Sequence, residues 1–166
     1  MTHAPIIAYL ENLNAKLVDF AENSFFRMDL AEITGAFRKG ITFPAMCVES
    51  PEGDAENSTK NNSVLNRTCA FTIYKKPQQG NFIDQDEKID DCEKIGLKII
   101  ARMRLDNAAP DSPLYNKFEV ASVRWVKVGP IFNEGLYGYR FIFTIAGDEK
   151  LIVNPDDWSD IENVCS

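Results

Sequence analysis

Histidine is nearly missing from this sequence, and the one that is present, His3, lies in the first few residues. A general base or a zinc ligand would be oddly placed there, since chain ends are commonly mobile. A Ser/His/Asp or Cys/His nucleophile would need that same histidine beside a fixed Ser or Cys, and there is no G-x-S-x-G. Cysteine is sparse too: Cys47, Cys69, Cys92 and Cys165 show no C-x-x-C spacing, so reduced, buried thiols are expected. Neither G-x-x-x-x-G-K-[ST] nor G-x-G-x-x-G occurs, which removes the phosphate-cradling loop and the dinucleotide fold. No apolar run approaches the roughly 18 residues of a membrane-spanning helix. The first residues, Met1-Thr2-His3-Ala4-Pro5, do not read as a secretory signal. The expectation is a soluble protein kept in a cytoplasm, with no membrane partner.

Positive charge is also short. The formal net charge is −7, which argues against a default nucleic-acid binder, because phosphate neutralisation needs clustered Lys and Arg. With 166 residues, 45% of them hydrophobic and 11% aromatic, the chain has the composition of one globular domain spanning 1–166. Such a domain buries on the order of 70% of its unfolded surface.

Ile6, Leu10, Leu13, Leu17 and Phe20 recur at steps of three and four, which predicts an amphipathic helix from Pro5 to about Glu22. A second apolar stretch, Phe25 to Leu30, leads into a segment punctuated by Gly35 and Gly40. Ile41 to Glu49 reads as a strand, with Pro44 arguing against a central position. Residues 50–66 (SPEGDAENSTKNNSVLN) offer little to bury and predict a long exposed loop. Thr68 to Lys75 then alternates, with Cys69, Phe71 and Ile73 on one face, and is expected to pair with the Ile41 strand as a hairpin tipped by the polar loop.

The clearest helix opens at Asp84, which with Glu87 resembles a capping box, and its stripe is Ile89, Cys92, Ile95, Ile99 and Met103. Asn107 to Pro113 should stop it. Two long strands follow, Phe118 to Val128 and Tyr137 to Ala146, joined through Gly129-Pro130 and Asn133-Glu134-Gly135. Tyr139, Phe141, Phe143 and Ile145 share one face of the last strand. The other face, with Arg140, Ile142 and Thr144, is too apolar for full exposure, so a covering layer is expected. A short strand at Leu151 to Val153 and a tail at 155–166 containing Trp158 complete the chain. The order of elements implies an α+β fold: an antiparallel sheet of about four or five strands with two main helices packed on one face.

Candidate chemistry is weighed on the same residues. Asp84, Asp86, Glu87, Asp90 and Asp91 lack calcium-loop spacing, and a helix start, where the dipole favours carboxylates, accounts for them. Asp156 and Asp157 suit either an acidic contact patch or a turn cap. Arg124, Lys127 and Arg140, interleaved with Trp125, Tyr137 and Tyr139, superficially resemble a platform for single-stranded nucleic acid. A strand pair with one solvated face explains them more simply. No residue is therefore assigned as catalytic, cofactor-binding or metal-binding, no cofactor is expected, and the chain is not read as an enzyme. A pocket lined by Phe71, Tyr74, Trp125, Tyr139 and Phe141 is the competing, ligand-binding or enzymatic reading. A monomeric adaptor is another. What remains favours assembly: a polar loop, aromatic strands and open sheet edges.

The pattern of elements resembles the small α+β tail-terminator and tail-completion (neck ring) proteins of tailed phages and related injection systems. The resemblance is carried by the first helix, the Ile41 to Tyr74 hairpin, the Asp84 to Leu105 helix, and the run from Val128-Gly129-Pro130-Ile131-Phe132 through Leu136-Tyr137-Gly138-Tyr139-Arg140-Phe141. It implies a non-enzymatic virion component, assembled in the host cytoplasm, that forms a ring at the tail end or head–tail connector. Its partners would be its own copies and neighbouring tail or connector proteins. DNA would pass through the channel without sequence-specific binding, which the acidic balance would favour.

Overall fold

A computed structural model describes residues 1–28, 40–59, 62–149, 151 and 153–160. The fold is α+β: two helices and a six-stranded, mostly antiparallel sheet. The elements are α1 (His3–Lys16), β1 (Phe25–Arg27), β2 (Ala45–Val48), β3 (Glu52–Thr59), β4 (Asn62–Lys75), α2 (Phe82–Ala108), β5 (Phe118–Ile131) and β6 (Leu136–Glu149). The sheet order is β1-β2-β4-β6-β5, and β3 also pairs with β4. Among the described residues, only β1 and β2 run parallel.

Helix α1 carries Pro5 in its first turn, where a missing N–H costs nothing. It ends at Lys16, short of the expected Glu22. Leu17 and Phe20 still pack on the core, from a turn closed by a Phe20 N–H to Leu17 carbonyl bond of 3.0 Å. That turn delivers Asp19 to Lys98, whose ammonium donates to both carboxylate oxygens at 2.9 Å.

The expected loop at 50–66 is corrected: most of it is strand. β2 and β3 lie end to end along one edge of β4, Ala45–Val48 opposite Tyr74–Phe71 and Glu52–Thr59 opposite Thr68–Asn62. The hairpin foreseen between the Ile41 strand and Thr68–Lys75 therefore exists but is far longer. Polarity misled because ladder hydrogen bonds join backbones and need no apolar side chains, and Glu52 to Glu56 are all exposed. β2 is also not an edge strand, since β1 flanks it. Pro44 is accommodated by standing just before it, after a cis peptide. The additions of β1 and β3 bring the count to six. Leu151 and Val153 belong to no strand, and residue 152 lies outside the described residues. So do Leu30, Gly35, Cys165 and the end of the expected tail, 161–166.

Helix α2 begins two residues before Asp84. Asn81 is its cap, its side-chain oxygen accepting from the Asp84 N–H at 3.1 Å, so the Asp84–Glu87 capping box is not formed. The Asp84 carboxylate reaches backwards to the Gln78 N–H at 2.6 Å. Of the expected stripe, Cys92, Ile95, Ile99 and Met103 are buried and Ile89 is half-buried, and Gly96 is buried with them. At the far end Asn107 accepts from the Lys117 and Phe118 N–H groups at 2.9 and 2.8 Å, tying the helix exit to the start of β5.

β5 and β6 pair in antiparallel fashion with two irregularities. Between Glu119 and Arg124 β5 carries extra residues, and the Ser122 hydroxyl fills the gap: it accepts from the Thr144 N–H at 2.8 Å and donates to the Glu119 carbonyl at 2.6 Å. The second bulge is at Gly129, whose φ of +112° and approach to the Leu136 carbonyl, 2.5 Å from where a Cβ would be, leave room for glycine alone.

Strand alternation sorts the interior into two clusters. The larger unites Ile6, Leu10 and Leu13 of α1 and the α2 stripe with Met46, Val48, Phe71, Ile73, Phe141 and Phe143 of the strands. The smaller, built on residues of the opposite parity, joins Phe26, Ala45, Cys47, Tyr74 and Leu136 to Ile41, Phe43 and Phe132. This cluster lies on the sheet face for which a covering layer was expected, but it does not include Arg140, Ile142 or Thr144, which are half-buried. Cys47 and Cys69 belong to different clusters, and Cys69 and Cys92 are free thiols.

Candidate interaction surface

The sheet ends in β5, whose outer edge pairs with nothing among the described residues. Val120, Trp125 and Val126 are 42%, 43% and 49% exposed along it. Register places Trp125 opposite Phe141 and Lys127 opposite Tyr139, while Arg124 faces Ile142 and Val126 faces Arg140 on the other side of the sheet. The six residues that suggested a nucleic-acid platform are therefore divided. Trp125, Lys127, Tyr137 and Tyr139 fall on one face, Arg124 and Arg140 on the other.

Four of the six are also engaged. The Trp125 ring stacks on Phe141 with centroids 6.1 Å apart, and its indole N–H donates to Glu93 at 2.7 Å. Lys127 lies over the Tyr137 ring at 5.7 Å. Arg140 forks onto Glu49 through two bonds of 2.7 Å. A stacking platform needs open aromatic faces, and Trp125 has given one to Phe141. Glu93 and Glu49, the partners that decide this, were invisible in the sequence: each is one carboxylate among many, and contact with Trp125 and Arg140 is made only by the fold.

Of the residues proposed for a pocket, Phe71, Tyr74 and Phe141 fill the interior, Tyr139 is half-buried and Trp125 is exposed. Phe71 and Phe141 are fully buried and stack at 5.1 Å, and Tyr74 belongs to the opposite cluster. One cleft, of about 350 Å³, lies between the β4–α2 loop and the β5–β6 turn and has a largely polar lining that includes Lys76, Gln78, Asn133 and Tyr137.

Three of the five carboxylates at the helix start are ion-paired, Asp84 with Lys88 at 3.2 Å, Asp90 with Lys94 at 2.5 Å and Asp91 with Lys75 at 2.6 Å, while Asp86 and Glu87 are exposed to solvent. The Gln78 N–H holds the Asp84 carboxyl below its usual range, and the Lys75 hydrogen bond does the same for Asp91. No three His, Cys, Asp or Glu side chains are grouped to hold a metal among the described residues. His3 lies in α1, its Nε2 2.9 Å from an Arg27 guanidinium nitrogen. Burial pushes the Cys69 and Cys92 thiols up to about 12, so both are neutral and poor nucleophiles. Asp156 and Asp157 sit in a 3-10 turn capped by Asn154, next to an exposed Trp158.

At the other side of the sheet, β3 also has an outer edge without a partner among the described residues, and it carries Glu52, Asp54 and Glu56. The outer edges of β5 and β3 differ in charge: β5 carries Arg124 and Lys127 with a single carboxylate, Glu119, and β3 carries three carboxylates; β1 ends the sheet order on the β3 side. No helix among the described residues is long and apolar enough to cross a membrane. No family model and no curated protein matches this sequence.

Proposed function

We propose that this protein is a non-catalytic assembly component whose copies join edge to edge into a ring, the role expected of a tail-end or connector ring in a phage virion. The observation that carries the reading is the pair of open, oppositely charged sheet edges on β5 and β3. β3 is antiparallel to β4, β4 to β6, and β6 to β5, so β3 and β5 run in opposite directions. A neighbour's β3 laid beside β5 would continue the sheet as an antiparallel pair. Because the contact uses two different surfaces it is heterologous, and such contacts make rings when the rotation closes.

In this reading α1 and α2 cover the same face of the sheet, the one bearing Phe71 and Phe141. The net charge of −7 supports a channel from which DNA is repelled, with neighbouring tail or connector proteins above and below. The ion-paired carboxylates and neutral thiols support a role without catalysis.

Light scattering of the purified chain across a concentration series, at moderate salt, tests this. A discrete oligomer, or a monomer that closes into one as concentration rises, is expected. A strict monomer at every concentration would sink the ring and favour an adaptor or ligand-binding domain.

A further inference from the structure

Between the end of α1 and the middle of α2 lies a cleft of about 230 Å³. Its floor is Leu13, Leu17 and Ile99, and its rim is Lys16, Lys98 and Arg102. Val18, next in sequence to Leu17, is 95% exposed. The rim cations are only partly used. Lys98 meets Asp19 at 2.9 Å and Arg102 gives its Nε to Asp106 at 2.8 Å, while exposed Lys16 stands in no ion pair among the described residues. Exposed pairs of this kind contribute little and exchange readily. On a chain of net charge −7, this is a local cationic site with an apolar bottom.

The same chain carries the complement. Asn154 to Asp160, NPDDWSD, turns through the 3-10 turn Pro155–Asp157 and presents Trp158, 57% exposed, among Asp156, Asp157 and Asp160. A rigid indole ringed by carboxylates is the type of anchor that concentrates binding energy when it enters a fitted, desolvated slot. In its own chain Trp158 does not line the cleft. The geometry points to a contact between copies: Trp158 of one copy enters the Leu13–Leu17–Ile99 slot of the next, and its flanking aspartates meet Lys16, Lys98 and Arg102. The inference rests on the self-association reading and adds to it a tail-to-helix clasp separate from the β3–β5 edges.

The test uses a fluorescein-labelled peptide of residues 154–160, titrated into the full chain carrying Trp158→Ala and followed by anisotropy. Wild type and Trp158→Ala are compared in parallel by light scattering. Saturable binding that weakens with salt is expected. It should fall roughly tenfold or more when the peptide's Trp158 is replaced by Ala, and several-fold when the protein also carries Lys16→Glu. Trp158→Ala should lower the oligomer mass. Absence of saturable binding, or binding indifferent to Lys16→Glu, overturns the clasp. An oligomer unchanged by Trp158→Ala overturns it while leaving the edge-built ring intact. A wild-type monomer whose slot opens to peptide only after Trp158 is removed means that the tail folds back in its own chain, and this overturns both the contact between copies and the ring.

Discussion

Gly96 of α2 and Phe141 of β6 occupy a single space: a Cβ on Gly96 would lie 1.9 Å from Phe141 Cε2. The Phe141 ring has no room to retreat, since it is stacked with Phe71 at 5.1 Å and Trp125 at 6.1 Å. The missing side chain is what lets the helix and the strand approach closely enough for the aromatic stack to form.

Gly96→Ala sets two effects against each other. Alanine is favoured over glycine in a helix interior by about 1 kcal/mol. Overpacking a filled core costs typically about 1–3 kcal/mol, and here the obstacle is a ring held on both sides. The clash should win, so urea unfolding is expected to show a net loss of about 1–2 kcal/mol, with Phe141→Leu in the same chain recovering part of it. A more stable Gly96→Ala would show that the helix can slide.

How far such contacts could be read in advance depends on what their signal is. The α2 stripe was legible because 27 helical residues repeat the 3.6-residue period many times. Gly96 stands four residues after Cys92, on that stripe, so a gap for a large ring opposite could have been suspected, but not which ring. β3 was illegible for a different reason: its side chains from Glu52 to Glu56 are exposed, and what ties it to the sheet is the backbone ladder, helped by one side-chain bond from Asn66 to Asp54. The smaller cluster gathers Phe26, Cys47, Tyr74 and Leu136 from four separated stretches, and only the topology brings them together. For the candidate surface, alternation placed Tyr139 and Phe141 on one face of the last strand and Arg140 on the other, but the division of Trp125 and Lys127 from Arg124 on β5 came only with the register. The long-range partner Glu49, 91 residues from Arg140, left no local trace.

The Arg140–Glu49 fork should matter to stability. Side-chain exposures of 26% and 13% place it at the border of the interior, where a bidentate pair keeps much of its strength. Glu49→Ala would leave the guanidinium half-buried and without its acceptor, at a cost of about 2 kcal/mol. Removing both residues should cost less than the sum of the single losses, which a double-mutant cycle in urea would show. Strict additivity would mean that the pair is not coupled.

High pH should unfold the protein earlier than its composition suggests. The Cys69 and Cys92 thiols stand near 12 in the fold against an ordinary value of 9.0, and burial also raises the Tyr9 and Tyr74 phenols. A raised pKa means that the unfolded chain gives up its protons first. These groups contribute in full below about pH 9, and their contribution is lost as pH climbs from 9 toward 12 and beyond. Midpoints of urea unfolding measured between pH 8 and 11 should fall steadily, and Cys92→Ala should flatten part of the slope while costing stability at pH 7. Midpoints that stay level to pH 11 would show that both thiols ionise freely.

The opposite charges of the two sheet edges can be tested within a single chain, because in a heterologous ring every copy carries both. Arg124 is exposed on β5 and lies in register with Ile142, with no carboxylate partner in the described ion pairs. Arg124→Glu should therefore leave monomer stability within about 0.5 kcal/mol, the usual range for a surface change. It would place a fourth carboxylate against Glu52, Asp54 and Glu56 of the neighbour, and the concentration needed for assembly should rise roughly tenfold at low salt. Adding Glu56→Lys to the same chain should bring that concentration back toward the wild-type value, since each junction then holds one exchanged pair. Recovery would tie β3 to β5 across copies. An assembly midpoint that ignores Arg124→Glu would remove β5 from the interface, and one that responds without recovering in the double variant would keep β5 there but give its partner edge to another element.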